Sequence, residues 1–250
     1  MSKTSWLTPR SNKLPVVAGL FWVIKIVTTG MGEAASDFLV RTLGNFPAVA
    51  LGAGVFAVAL IAQFRISKFS KWIYWFAVAM VSVFGTMAAD ILHIGFGVSY
   101  LASTLFFSVT LLMIFLVWWR LEGTISIASI DTNRRETLYW FTVLATFALG
   151  TAAGDMTART LNLGYLNSGF LFALAFAIPL FAYWSRVKFN TLCFWLAYVA
   201  TRPFGASFAD WVGANVAKGG LGFGFGNITL TLTAALLALV AFSRNSTKNN

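Results

Sequence analysis

The sequence has one cysteine, Cys193, and one histidine, His93, among its 250 residues, and only eight acidic side chains. A lone cysteine excludes an internal disulfide, a CxxC redox pair and a cysteine-based zinc cluster. A lone histidine, with no G-x-S-x-G elbow, leaves serine–histidine–aspartate hydrolysis without its parts. The glycine-rich run GGLGFGFG at 219–226 lacks the Lys-Ser/Thr ending of a phosphate loop and reads as a flexible turn opening the last helix. No enzyme is expected, and no resident cofactor. Charge is scarce throughout: charged residues make up 10% of the chain and hydrophobic ones 58%, where a soluble domain carries about 25% charged residues.

What the chain has instead is apolar runs long enough to cross a bilayer, which takes about 20 residues each. Four of them (46–64, 98–119, 165–184 and 221–242) hold no charge. Four others (15–43, 71–94, 137–160 and 190–214) hold a few. This predicts an all-α polytopic membrane protein of eight transmembrane helices, with one longer connection near 120–136. The first run is interrupted by Lys25 and Glu33 and has no cleavage site, so it reads as an uncleaved helix.

Basic residues outnumber acidic ones 18 to 8, and they sort by side. Lys3, Arg10, Lys13, Arg65, Lys68, Lys71, Arg120, Arg134, Arg135, Arg186, Lys188, Arg244 and Lys248 fall on one face, and Arg41, Arg159 and Lys218 on the other. The positive-inside rule then puts both termini in the cytoplasm. The net charge is a topology signal, with the lipid bilayer as partner and no nucleic acid; the oligomeric state is left open.

Internal comparison exposes a repeat. Gly, four residues, Asp occurs as GEAASD, GTMAAD, GTAAGD and GASFAD, ending at Asp37, Asp90, Asp155 and Asp210. Fifteen residues before each Asp stands a tryptophan: Trp22, Trp75, Trp140 and Trp195. The units run 15–69, 70–121, 137–189 and 190–244, with tails 1–14 and 245–250. The first and third also share Arg-Thr-Leu after the Asp, which suggests two halves of two helical hairpins each. Four tandem two-helix units, each with a marked tryptophan, resemble the bacterial membrane-protein family named for a repeat of unknown function. The resemblance covers about 15–244. It implies the fold and a membrane location, and little about activity; the membrane expected is the bacterial inner one.

A two-span unit preserves orientation, so the units are expected to be parallel around an axis along the membrane normal. The odd helices, rich in small residues before each Asp, should pack at the centre with the even ones facing lipid. The tryptophans should anchor at the cytoplasmic interface. The four Asp should lie about 22 Å further along, at a common depth.

Intramembrane carboxylates default to a functional reading. Asp37, Asp90, Asp155 and Asp210, with Glu33, are the expected cation pathway, and Lys25, Arg41, Arg159 and Arg202 its counter-charges. Asp37–Arg41 and Asp155–Arg159 are i, i+4 pairs that could equally lock helices. Lys25 and Glu33 read either as a neutralised seam along the first helix or as an asymmetric proton-sensitive site. His93 is a candidate nitrogen ligand beside Asp90. Arg202 with Pro203 should kink the seventh helix. The function expected is a cation transporter or channel for a divalent metal held by the four Asp. The alternatives are a proton-coupled carrier of a small organic solute and a scaffold with structural Asp–Arg pairs.

Overall fold

The computed structural model describes residues 13–185 and 190–243. Eight helices follow one another: α1 (Gly19–Leu43), α2 (Asn45–Arg65), α3 (Lys71–Asp90), α4 (Tyr100–Glu122), α5 (Asn133–Asp155), α6 (Gly164–Trp184), α7 (Asn190–Gly213) and α8 (Phe225–Phe242), with no strand among the described residues. Six of them, α2 to α6 and α8, are long and apolar enough to cross a membrane. The remaining two, α1 and α7, carry Lys25, Glu33 and Arg202.

The odd helices form a closed inner ring in which α1 packs on α3 and α7, and α5 packs on the same two. Small residues make the close approach possible, and the same contact recurs four times. The motif glycine of each odd helix lies against the next one: Gly32 meets Ser82, Gly85 meets Phe147, Gly150 meets Arg202, and Gly205 meets Thr29. The outer layer is offset. Each even helix leans chiefly on the odd helix that follows it: α2 on α3, α4 on α5, α6 on α7, and α8 back onto α1. The outer faces are apolar and exposed, as at Leu112, Ile178 and Leu230.

The repeat tryptophans are core residues, which corrects their expected place as interface anchors. All four are buried. Each packs on the aromatic preceding the tryptophan of a neighbouring inner helix: Trp22 on Phe194, Trp75 on Phe21, Trp140 on Tyr74 and Trp195 on Tyr139, with ring centroids 5.5, 5.6, 5.9 and 6.3 Å apart. Such pairs contribute about 0.5–1.5 kcal/mol each beyond area burial, and here they tie the ring together at one level.

Polar side chains pin the bundle end nearest these rings. Buried Lys13 donates to Glu136 at 2.7 Å, and Gln63 donates to the other oxygen of that carboxylate at 3.0 Å. Lys71 donates to the carbonyls of Ala241 and Ser243. Of the basic residues assigned to this side, Lys13, Arg65, Lys68, Lys71, Arg120, Arg134 and Arg135 stand at this end. Lys3, Arg10, Arg186, Lys188, Arg244 and Lys248 lie outside the described residues. At the other end the glycine run folds back on α7: Leu221 and Phe223 donate to the carbonyls of Trp211 and Val212. Gly224 enters α8 at φ 81°, a left-handed value that favours glycine. The run is therefore pinned, and its last two residues, Phe225 and Gly226, open α8. Through Pro203, α7 continues as one helix, the proline ring lying against Gly150.

Candidate functional site

Repeat register places the site. Counting from each tryptophan, positions +3, +7, +11 and +15 are four apart, a little over one helical turn, and so share one face. Lys25, Val78, Val143 and Tyr198 form the first layer, and Thr29, Ser82, Phe147 and Arg202 the second. Glu33, Thr86, Thr151 and Ala206 form the third, and the four Asp the fourth. Every member of the first three layers is buried.

The fourth layer opens into a cavity of about 620 Å³. Asp37, Asp90, Asp155 and Asp210 all line it, together with Glu33, Arg41, Arg159, His93 and Lys218. The carboxylates differ in their partners. Asp37 accepts from Arg41 at 2.9 Å, and Asp155 lies 3.0 Å from Arg159. Both guanidinium groups lean on rings at the cavity wall, Arg41 on Phe225 and Arg159 on Tyr100. Asp90 and Asp210 have no ion pair among the described residues. Directly after Asp90 and Asp155 the helices loosen into π turns, Ile91–Gly95 and Met156–Thr160, a feature frequent at functional sites.

His93 is already engaged. Its Nδ1 lies 3.0 Å from the Val98 carbonyl and its Nε2 3.3 Å from Ser103 Oγ, so the ring fastens the turn before α4. Among the described residues no group of three or more His, Cys, Asp or Glu side chains is arranged to hold a metal ion. The four Asp share a cavity without converging on one point.

Below the cavity the polar axis continues inward. Arg202, fully buried, donates to Glu33, to Thr86 and, at 2.9 Å, to Thr151, and its other terminal nitrogen reaches the Thr29 carbonyl at 3.2 Å. One guanidinium thus joins all four inner helices. Removing one partner of such a buried pair costs about 3–5 kcal/mol, because the other charge is stranded. Lys25 does not neutralise Glu33, which corrects the reading of a balanced seam along α1. Its Nζ is fully buried with no hydrogen-bond partner, 4.0 Å from the Phe147 ring centroid and 4.1 Å from that of Tyr198. A desolvated cation–π contact contributes about 2 kcal/mol, against several kcal/mol for burying an ion. One layer further in, the hydroxyls of Tyr74 and Tyr139 are 2.7 Å apart.

Of the residues singled out in the sequence, the four Asp, Glu33, Arg41, Arg159 and His93 come together around the cavity, while Lys25 and Arg202 lie beneath it. Thr86, Thr151, Phe147 and Tyr198 were missed. Repeat register was the available signal, since they occupy the positions of Glu33, Arg202 and Lys25 in other units.

Fold and site define an all-helical membrane protein of four repeats around a central polar cavity. The chain matches the family described as Repeat of Unknown Function (DUF347) over residues 20–69, 73–124, 138–189 and 193–248, and it belongs to that family. No curated protein and no solved structure matches it.

Proposed function

We propose that the protein is a cation transporter of the bacterial inner membrane, with the acidic cavity as its entry site. One observation carries this reading: the four repeat-related Asp and Glu33 line a single cavity, and Asp90 and Asp210 have no ion pair there among the described residues. In this reading all eight helices span the bilayer. The buried charges of α1 and α7 point into the ring, so these helices need no apolar surface at those positions. The four repeats then surround an axis along the membrane normal as helical hairpins. The basic end faces the cytoplasm and the cavity faces outward.

Spread carboxylates in a roomy cavity suit a cation that keeps its water. Magnesium retains several waters and uses one or two carboxylates, so a hydrated divalent ion fits better than one enclosed by protein ligands. The test is flux of sodium, potassium, magnesium and manganese(II) into liposomes holding the full-length protein, with each Asp changed to Asn. Loss of flux in Asp90→Asn and Asp210→Asn is expected. Normal transport in all four variants would remove the acidic-site reading.

A second reading has an observation of its own. Arg41, Arg159 and Lys218 line the same cavity and could hold the anionic group of a small organic solute in a proton-coupled carrier. It predicts that changing Arg41 or Arg159 abolishes uptake, where the cation reading predicts that the Asp changes dominate.

A further inference from the structure

Three charges occupy the axis from the cavity floor inward: Glu33, Arg202 and Lys25. Glu33 and Arg202 cancel. Lys25 as an ammonium leaves one positive charge over, held by two rings and no acceptor. The guanidinium of Arg202 shares one of these rings, its carbon 5.7 Å from the Phe147 centroid. Its Nε is also buried without a hydrogen-bond partner. Two buried donors thus lack acceptors around one ring, while the nearby carboxylate takes a hydrogen bond from the same guanidinium. Removing a single proton reorganises this set. As an amine, Lys25 leaves the axis neutral and offers Nζ as an acceptor, to which Arg202 can turn. Glu33 is then free at the floor of the acidic cavity.

We infer that the protein exchanges its cation for a proton, with Lys25 as the proton-carrying residue and Arg202 as the arm that links it to Glu33. The inference rests on the cation reading above and adds the coupling. The two cargoes bind alternately. With the proton on Lys25 Nζ, Arg202 holds Glu33. When that proton passes to the water from which the cation arrives, Arg202 moves to Nζ and the cation takes its place beside Glu33. No bond other than N–H is made or broken. The surroundings of Lys25 contain few rivals for this role. Arg202 and Tyr198 face it from α7, and α5 presents Phe147. The only charged residues of α3, Lys71 and Asp90, stand at its two ends. Arg65 is the one charged residue of α2, at the helix end nearest the aromatic rings, and α8 has no charged residue.

The test uses the purified full-length chain in liposomes with a pH-sensitive dye inside. Sodium, potassium, magnesium, manganese(II) and tetramethylammonium are supplied outside in turn, and cation uptake is measured in the same vesicles. Uptake by the wild type with proton movement in the opposite direction is expected. Lys25→Met and Lys25→Arg should each lower the proton signal at least tenfold while remaining monodisperse in detergent. Met keeps the volume and Arg keeps the charge, so a structural role would be rescued by one of them, whereas neither can exchange a proton here. Cation uptake without proton movement in the wild type overturns the coupling and leaves the cation reading standing, with no variant needed. An unchanged proton signal in either folded variant also overturns it. No uptake of any of the five cations overturns the cation reading and the coupling together.

Discussion

At the scale of single residues, the molecule's stability and its chemistry meet at Arg202. Arg202→Met strands the Glu33 carboxylate among buried groups, and a loss of about 3–5 kcal/mol is expected in thermal unfolding of the detergent-solubilised protein. The double variant Glu33→Gln/Arg202→Met removes both charges and should unfold closer to the wild type than either single variant. The four Asp separate in the opposite sense. Arg41 is largely exposed, so Asp37→Asn should change stability by no more than about 0.5 kcal/mol. Asp90→Asn removes a carboxylate that has no ion pair among the described residues, and should leave the melting temperature unchanged or raised while flux falls at least tenfold. Both Glu33 and Arg202 were visible in the sequence as breaks in the repeat. Their pairing was not, because 169 residues separate them and only the closure of α7 onto α1 brings them together.

At the scale of elements, the motif glycines set the spacing of the inner ring. A Cβ added at Gly85 would lie 2.8 Å from Phe147 Cβ, whereas one at Gly54 on α2 meets nothing within 4 Å. Gly85→Ala should therefore destabilise by about 1–3 kcal/mol through overpacking. Gly54→Ala should be neutral or stabilising by up to about 1 kcal/mol through helix propensity. Thermal unfolding of both variants side by side checks the contrast. Helix positions were largely legible from apolar runs, and α3 with its π turn covers 71–95 against an expected 71–94. The π turns themselves were not, since a run of hydropathy does not record a change of hydrogen-bond register. The tryptophans stand at the expected end but not in the expected role, for a physical reason: an indole suits a headgroup boundary and a ring of aromatics equally well, and only the neighbour at the preceding position distinguishes them.

At the scale of the whole molecule, the proposed outward opening of the cavity depends on orientation. In a Cys193→Ser background, Asn215→Cys should react with a membrane-impermeant maleimide in intact cells. Ser67→Cys at the opposite end should react only after permeabilisation. The reverse pattern would put the acidic cavity on the cytoplasmic side. The repeat and the grouping of its Asp were legible because they are encoded at fixed offsets. The offset outer layer was not, because sequence order gives connection and not coverage.

With α8 returning onto α1, each of the four repeats lends its outer helix to the next inner one, as subunits that exchange arms would, yet all share one polypeptide. A homotetramer of identical pieces would be bound by its own symmetry. A glutamate at the Glu33 position would come in fours, and an arginine at the Arg202 position would repel three copies of itself across the axis. Covalent linkage lifts that constraint. One glutamate, one arginine and one lysine each occur once, on α1 and α7, in layers where the other repeats have Thr86, Thr151, Phe147 or Val78. Joining the four units in one chain thus gives the molecule an off-centre core that no assembly of equal parts could have.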